Sequence, residues 1–173
     1  MTDTPAPLAA HDAYDIVEKD KKHLWHHLLQ HKVLEEHDPK IFVEGTGARL
    51  RDIEGTEYLD ASSGGVWCVN VGYGRESIAE AIRDQLVKLP YYAGVAGTVP
   101  AAEFADELTD LLPGLDRVFF ASSGSEANEK AFKIVRQIAH LTGHDKHKIL
   151  YRDRDYHGTT IACLAASGQP ERK

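Results

Sequence analysis

The last third of the chain restricts its fold more than any other stretch. Residues 117–121 (RVFFA) are a short apolar run, broken by Ser-Ser-Gly-Ser-Glu at 122–126. An amphipathic pattern then runs to about Leu141, Gly143 closes it, and a second short apolar run, KILY, follows at 148–151. Short apolar runs bounded by turn residues read as strands, and a 3.6-residue period reads as a helix. Strand, helix and strand at this spacing predict a βαβ unit with parallel strands and a right-handed crossover. Ligands of open α/β sheets bind beyond the carboxyl ends of the strands. The Ser-Gly-Ser turn and the loop after Tyr151 therefore share the edge where a ligand is expected.

The segments upstream are different in character. Residues 1–10 are rich in Pro and Ala and are expected to lack ordered structure. Residues 11–38 suit one long helix or two short ones, with Tyr14, Val17, Leu24, Leu28 and Leu29 forming a rough apolar stripe. Three strand-like pieces follow at 41–44, 48–53 and 57–60, with Gly45, Gly47 and Gly55 at the turns, and predict a small antiparallel meander. Residues 61–74 (ASSGGVWCVNVGYG) are Gly-rich and nearly uncharged. Helices are expected at about 75–88, on Ile78, Ile82 and Leu86, and from Pro100 to Pro113-Gly114, on Phe104, Leu108, Leu111 and Leu112. The change of character divides the chain into an N-terminal helix and meander (1–60) and the beginning of a larger domain (61–173).

Composition narrows the partners. Lys and Arg number 20 against 27 Asp and Glu, a net charge of 20 − 27 = −7, and no basic block stands on one face. That argues against nucleic acid and an anionic membrane surface as partners. No run approaches the ~20 apolar residues of a membrane helix. The N-terminal residues carry acids and no apolar signal core, so the cytoplasm is the expected compartment. Cys68 and Cys163 lie far apart in sequence and read as two reduced thiols.

Three motifs carry chemistry. In Phe119–Glu126 a strand ends, a Gly/Ser turn follows and a helix begins. The first amides of a helix have no internal partner, and the helix dipole adds attraction for an anion. Gly124 admits a phosphate close to the backbone and Ser125 offers a hydroxyl. The plainer reading is a capping box between Ser123 and Glu126. The turn fits neither the Walker loop nor the dinucleotide G-x-G-x-x-G. The second motif, Asp155-Tyr156-His157-Gly158-Thr159-Thr160, supplies an aromatic ring able to stack on a planar ligand; an ordinary surface loop with a hydrogen-bonded Tyr is the alternative. The third is Gly64-Gly65-Val66-Trp67, where the indole either lines a pocket or fills a core.

Taken together and in order, GGVWCVNVGYGR, FFASSGSEANEKAFK and DYHGTT resemble the class III (omega) aminotransferases of pyridoxal-phosphate fold type I. The similarity runs from about residue 23 to the end. It is nearest to the taurine:pyruvate and omega-amino acid:pyruvate members, on His23-Leu24-Trp25-His26-His27-Leu28 and DYHGTTIACLAASGQ. The resemblance implies an α/β chain: a small antiparallel meander plus the start of a parallel-sheet cofactor domain. It implies a transaminase moving an amino group from a donor such as taurine or β-alanine to pyruvate, with pyridoxal 5′-phosphate as cofactor and a homodimer with the active site at its interface. By position it assigns Gly124 and Ser125 to the cofactor phosphate, Tyr156 to the cofactor ring and His157 to the same motif. Trp67, Leu28, Val95 and Ala96 fall at positions around the substrate. Relatives often carry an aromatic where Leu28 stands and bulkier residues at Val95 and Ala96, so a reshaped substrate pocket is expected.

No catalytic residue is assigned within these 173 residues. The resemblance implies a Schiff-base lysine and an Asp paired with the pyridine nitrogen; Lys130, Lys133, Lys146 and Lys148 do not fall at the family's lysine position, and both groups are expected beyond Lys173. Two other functions compete with this reading: a non-catalytic fragment that binds a phosphate ligand, and a metal protein. His23, His26, His27 and His31 read as crowding one helix, with two pairs four apart. No further ligand type accompanies them, so no metal is expected.

Overall fold

A computed structural model describes residues 10–27, 29–92 and 95–173 of the chain. The tail 1–9 and Leu28 lie outside the described residues. The chain forms two compact units, Met1–Tyr91 and Tyr92–Lys173.

The first unit opens with α1 (Ala10–His23) and the single turn α2 (Val33–Glu36). The meander follows as β1 (Phe42–Thr46), β2 (Arg49–Asp52) and β3 (Glu57–Leu59), antiparallel in the order β1-β2-β3; Gly47 and Gly55 stand at the turns, whereas Gly45, expected at a turn, pairs with Leu50 inside β1. Thr46 pairs with Arg49 across the first turn and Leu50 with Tyr58 across the second strand pair, with an irregularity between Phe42 and Glu44. Arg51 is buried and bridged to Glu44 at 2.6 Å. The Asp52 carboxylate accepts the Thr56 amide and the Tyr58 hydroxyl, each at 2.8 Å, which closes the second turn.

The Gly-rich loop is bound to this meander. Gly47 and Tyr73 exchange two backbone hydrogen bonds, and a Cβ on Gly45 would lie 2.6 Å from Tyr73 Cγ, so only glycine lets the ring in. Asp60 ties the loop from the other end. Its carboxylate accepts the amides of Gly64 (2.6 Å) and Ser62 (2.9 Å) and the hydroxyls of Tyr73 (2.7 Å) and Ser62 (3.1 Å). The Gly64 amide, then Tyr73 and Ser62, hold the Asp60 carboxyl down to about 2. A pKa depressed from 3.8 contributes stability that is present above pH 3.8 and fades as pH falls through about 2. In the full-length enzyme, urea melts from pH 5 to pH 2 should show wild type losing its advantage over Asp60→Asn across that window; a pH-independent gap between them would rule the network out. α3 (Glu76–Lys88) ends the unit.

The second unit holds α4 (Val99–Leu111), with Pro100 in its first turn, α5 (Gly124–Leu141) and the short α6 (Ile161–Ala165). Phe104 of α4 stacks on Phe120 at 6.1 Å between ring centroids, and Lys130 of α5 bonds the Phe120 carbonyl at 3.3 Å. The expected helices are in place. The expected parallel strands at 117–121 and 148–151 are not: neither segment has a ladder partner, and the three-stranded meander is the sheet present among the described residues. A strand needs a neighbour for its amides and carbonyls, and a parallel sheet is buried on both faces. Here Phe119 is 69% and Leu150 91% exposed.

The buried core is correspondingly small. It comprises Leu34 and Ile53 in the first unit, and Ala139, Cys163 and Ala166 in the second. The chain exposes 14641 Å², whereas a folded globule of this mass exposes roughly 8,400 Å², and two separate globules of half the mass roughly 10,200 Å². Apolar helix faces contribute to the excess: Ile78, Ile82 and Leu86 on α3, Phe104 and Leu111 on α4, Ile134, Val135, Ile138 and Leu141 on α5 are exposed. Among the described residues no helix is long and apolar enough to cross a membrane.

Candidate cofactor site

The start of α5 is set by its cap. Ser123 has extended backbone, and its Oγ accepts the Glu126 amide at 3.1 Å. The Glu126 carboxylate reaches back to the Ser122 amide at 2.6 Å, with Lys130 at 3.5 Å behind it. That amide, then the Lys130 charge, keeps the Glu126 carboxyl below its usual range. The expected cap is therefore present, with Glu126 taking the amide one residue before the N-cap instead of the N-cap amide itself, and it leaves two first-turn amides uncommitted. It consumes the Glu126 amide, and the Ser123 carbonyl takes the Ala127 amide at 3.0 Å. Gly124 and Ser125, the two first-turn residues left over, have no amide acceptor among the described residues. Nothing lies within 4 Å of a Cβ built on Gly124, so the space beside these amides is open.

The loop after Tyr151 is laid against this helix start and fastened at successive residues. The Thr159 amide donates to Ser125 Oγ at 3.1 Å, which leaves the Ser125 hydroxyl hydrogen free to donate elsewhere. Asn128 Nδ2 donates to the His157 carbonyl at 2.8 Å. Glu129 accepts the Thr160 hydroxyl at 2.6 Å and the Ala162 amide at 3.2 Å. Behind them the buried Cys163 thiol donates to the Ser125 carbonyl at 3.2 Å, and the His157 amide donates to the buried Ser167 hydroxyl at 3.1 Å. Gly158 makes the approach possible. It is buried at φ 129°, and a Cβ there would sit 2.9 Å from Ser125 Cβ.

Of the residues expected to serve a ligand, the structure brings Gly124 and Ser125 together with the Tyr156–His157 segment. The Tyr156 ring is half exposed and its hydroxyl has no hydrogen-bond partner among the described residues, so the loop is not held by a bonded Tyr. The Arg172 guanidinium stands 5.9 Å from the ring centroid. His157 Nε2 lies 3.8 Å from Asp155, whose carboxylate is held chiefly by Arg152. Trp67 belongs to the first unit, where it is 76% exposed and in left-handed backbone at φ 62°. A non-glycine residue held there costs on the order of 1–3 kcal/mol, a cost tolerated mostly at functional positions. Val95 and Ala96 are exposed in the stretch before α4, and Leu28 lies outside the described residues.

Sequence reasoning did not single out Asn128, Glu129, Cys163 or Ser167. The available signal was spacing: Ser125, Asn128 and Glu129 fall one turn apart on one helix face. The histidine cluster is corrected as well. α1 stops at His23, so the four histidines do not share one helix; His26 is bound to Asp20 at 2.5 Å and His31 to the His26 carbonyl at 3.3 Å. Among the described residues no group of three or more His, Cys, Asp or Glu is placed to hold a metal.

The sequence matches the family Aminotransferase class-III over residues 32–173. The chain belongs to the class III aminotransferases. The hypotaurine/taurine–pyruvate aminotransferase of Paracoccus denitrificans is 64% identical over 166 residues, and the taurine–pyruvate aminotransferase of Bilophila wadsworthia is 55% identical over 164. These alignments cover 95% and 94% of this class III chain but 36% and 35% of the relatives, so the chain spans about a third of their length. An (S)-enantioselective omega-transaminase of Thermomicrobium roseum superposes with a TM-score of 0.88 at 38% identity, over 92% of this chain and 36% of that one. The omega transaminase of Pseudomonas jessenii, solved in complex with PMP, gives 0.86 at 29% identity, over 91% and 36%. The fold is thus that of the pyridoxal-phosphate-dependent transaminases, of which this class III chain carries a part.

Proposed function

We propose that the chain supplies the cofactor-phosphate cup and ring-stacking residue of a transaminase that uses pyridoxal 5′-phosphate to move an amino group from an omega-amino donor, such as taurine or β-alanine, to pyruvate. The observation that carries the reading is the pair of unpaired first-turn amides at Gly124 and Ser125, beside open space and faced by the Tyr156 loop. The names of the relatives from Paracoccus and Bilophila support the donor class and pyruvate.

The residues fit the cofactor's chemistry. Gly124 and Ser125 amides and the Ser125 hydroxyl would hold a phosphate dianion, with the dipole of α5 adding to the attraction. The Tyr156 ring would lie against the pyridine, and His157 follows it in the same fastened loop. Bound there, the cofactor supplies the electron sink that amino-group transfer needs. By their positions in the family pattern, Trp67, Leu28, Val95 and Ala96 are assigned to the donor pocket of the full enzyme, which the smaller side chains at 28, 95 and 96 would reshape. The working form would be a cytoplasmic homodimer.

Gly124→Val tests the cup cleanly. No protein atom lies within 4 Å of the added Cβ, so stability should hold, while the branched side chain blocks the amide. Losing one charge-assisted hydrogen bond costs about 1.5–3 kcal/mol, or roughly ten- to a hundredfold in affinity. Equilibrium dialysis of pyridoxal phosphate against the wild-type and variant enzymes measures it, and unchanged affinity removes the cup. Tyr156→Phe should keep affinity, whereas Tyr156→Ala should lose ~1 kcal/mol beyond the area term. Alanine formation from taurine and pyruvate tests the reaction; no turnover with any omega-amino donor would overturn it.

A further inference from the structure

The loop that carries Tyr156 is fastened to α5 at points the cofactor does not need for its phosphate. Asn128 stands one turn after Ser125 and spends its Nδ2 on the carbonyl of His157, the residue next to Tyr156 in the chain. The Tyr156 hydroxyl has no partner of its own, and its ring is half exposed, so no side-chain bond sets the ring's orientation. The peptide that follows it is fixed from both sides: the His157 amide donates to Ser167 Oγ at 3.1 Å and the His157 carbonyl accepts from Asn128 at 2.8 Å. Ser167 is fully buried and donates in turn to the Cys163 carbonyl at 2.8 Å, so that side is anchored in the core of the unit. The Asn128 side is anchored to the same first turns of α5 that present the Gly124 and Ser125 amides.

We infer that Asn128 is a positioning residue: through the His157 carbonyl it locks the backbone beside Tyr156 to the helix bearing the phosphate cup, and so sets the Tyr156 ring at the height of a cofactor held there. This rests on the proposed cofactor site. Asn128 touches neither phosphate nor ring. It acts by making the cup and the stacking ring one rigid body, so a cofactor bound at one end meets the other without ordering a loop. Removing the bond leaves the amides of Gly124 and Ser125 in place and loosens the backbone beside Tyr156 on its α5 side, so the loss falls on ring recognition and not on phosphate recognition.

The experiment is a double-mutant cycle in the full enzyme, read by dissociation constants and not by turnover. Asn128→Asp replaces the donor by an oxygen that faces the His157 carbonyl, and Asn128→Ala removes it. Pyridoxal phosphate affinity is measured by fluorescence titration, the binding of inorganic phosphate by its competition with the cofactor, and the ring's environment by the visible circular dichroism of the bound cofactor. The expected result has three parts. Either Asn128 variant weakens pyridoxal phosphate by roughly the same factor as Tyr156→Ala. Combining it with Tyr156→Ala adds less than about twofold. Phosphate affinity is unchanged, while the circular dichroism band collapses in the Asn128 variants and not in Tyr156→Phe. Losses that multiply in the double variant, or a parallel loss of phosphate affinity, would reduce Asn128 to a general structural tie and overturn the inference. If Asn128→Asp fails to fold, Asn128→Ala decides by the same cycle; failure of both to fold also returns Asn128 to a structural role. A wild-type enzyme that does not bind pyridoxal phosphate refutes the site itself, whereas wild-type binding with an additive cycle refutes only the role of Asn128.

Discussion

Produced as these 173 residues and nothing more, the protein is expected to form no alanine from taurine and pyruvate and to melt without a cooperative transition. The reason lies in what its helices leave uncovered. Ile78, Ile82 and Leu86 on α3, Phe104 on α4, and Ile138 and Leu141 on α5 are all 44–74% exposed. Full burial of such a side chain contributes about 1.5–3 kcal/mol, so leaving six of them about half exposed withholds roughly 5–9 kcal/mol. That is comparable to the whole stability of an ordinary domain, ~5–15 kcal/mol. The two apolar segments at 117–121 and 148–151 also present unpaired backbone, which favours association between copies. Lys130, at the start of α5, is engaged by Glu126 and the Phe120 carbonyl, and no lysine of these residues is assigned the Schiff-base role. Calorimetry, dye binding and an alanine assay on the purified 173-residue chain check the expectation together. A sharply melting monomer that makes alanine would overturn it.

The second large effect is expected from Gly158→Ala. A non-glycine residue at φ 129° costs on the order of 1–3 kcal/mol in backbone strain alone. The added methyl would also come within 3.0 Å of both Ser125 Cβ and Ser125 Cα and collide with its Oγ. The loop must then lift from α5, which breaks the Thr159 amide bond to Ser125 and drags on the Asn128 and Glu129 bonds beside it. Cofactor affinity should fall at least tenfold and urea stability should drop by the strain energy or more. Gly97→Ala is the control: its backbone is not left-handed and nothing lies within 4 Å of the new Cβ, so it should change neither quantity. Equal behaviour of the two variants would show that the close approach at Gly158 does not matter.

These two outcomes bear on what local sequence carries. The meander was legible because its turns are glycines at fixed offsets and its strands pair with their immediate neighbours; β1-β2-β3 closes over a few residues. α3, α4 and α5 were legible from apolar periodicity, and the cap of α5 from Ser123 and Glu126. The Ser-Gly-Ser turn was legible as a helix start for the same reason, since capping is a property of one short segment. The two strands flanking α5 were not borne out as strands. Their apolar pattern is compatible with a sheet, but pairing is a long-range property and no neighbour reaches them among the described residues.

The histidine cluster shows the opposite failure. Four histidines at helical spacing suggested one face, yet the helix ends at His23, and His26 and His31 turn to Asp20 and to backbone. Periodicity says where a face would be if the helix continued; it does not say that the helix continues.

By itself, then, the amino-acid sequence determined the meander, the helices and the capped turn with its two unpaired amides, because each is settled by interactions a few residues apart. Only the tertiary structure decided that Gly158 lies on Ser125, that Asn128 holds the His157 carbonyl and that Glu129 takes Thr160. Those bonds join residues 29 to 33 positions apart. No local propensity encodes such contacts. They exist because the buried Cys163 and Ser167 pin the returning chain, leaving the donors of one segment within reach of the acceptors of the other.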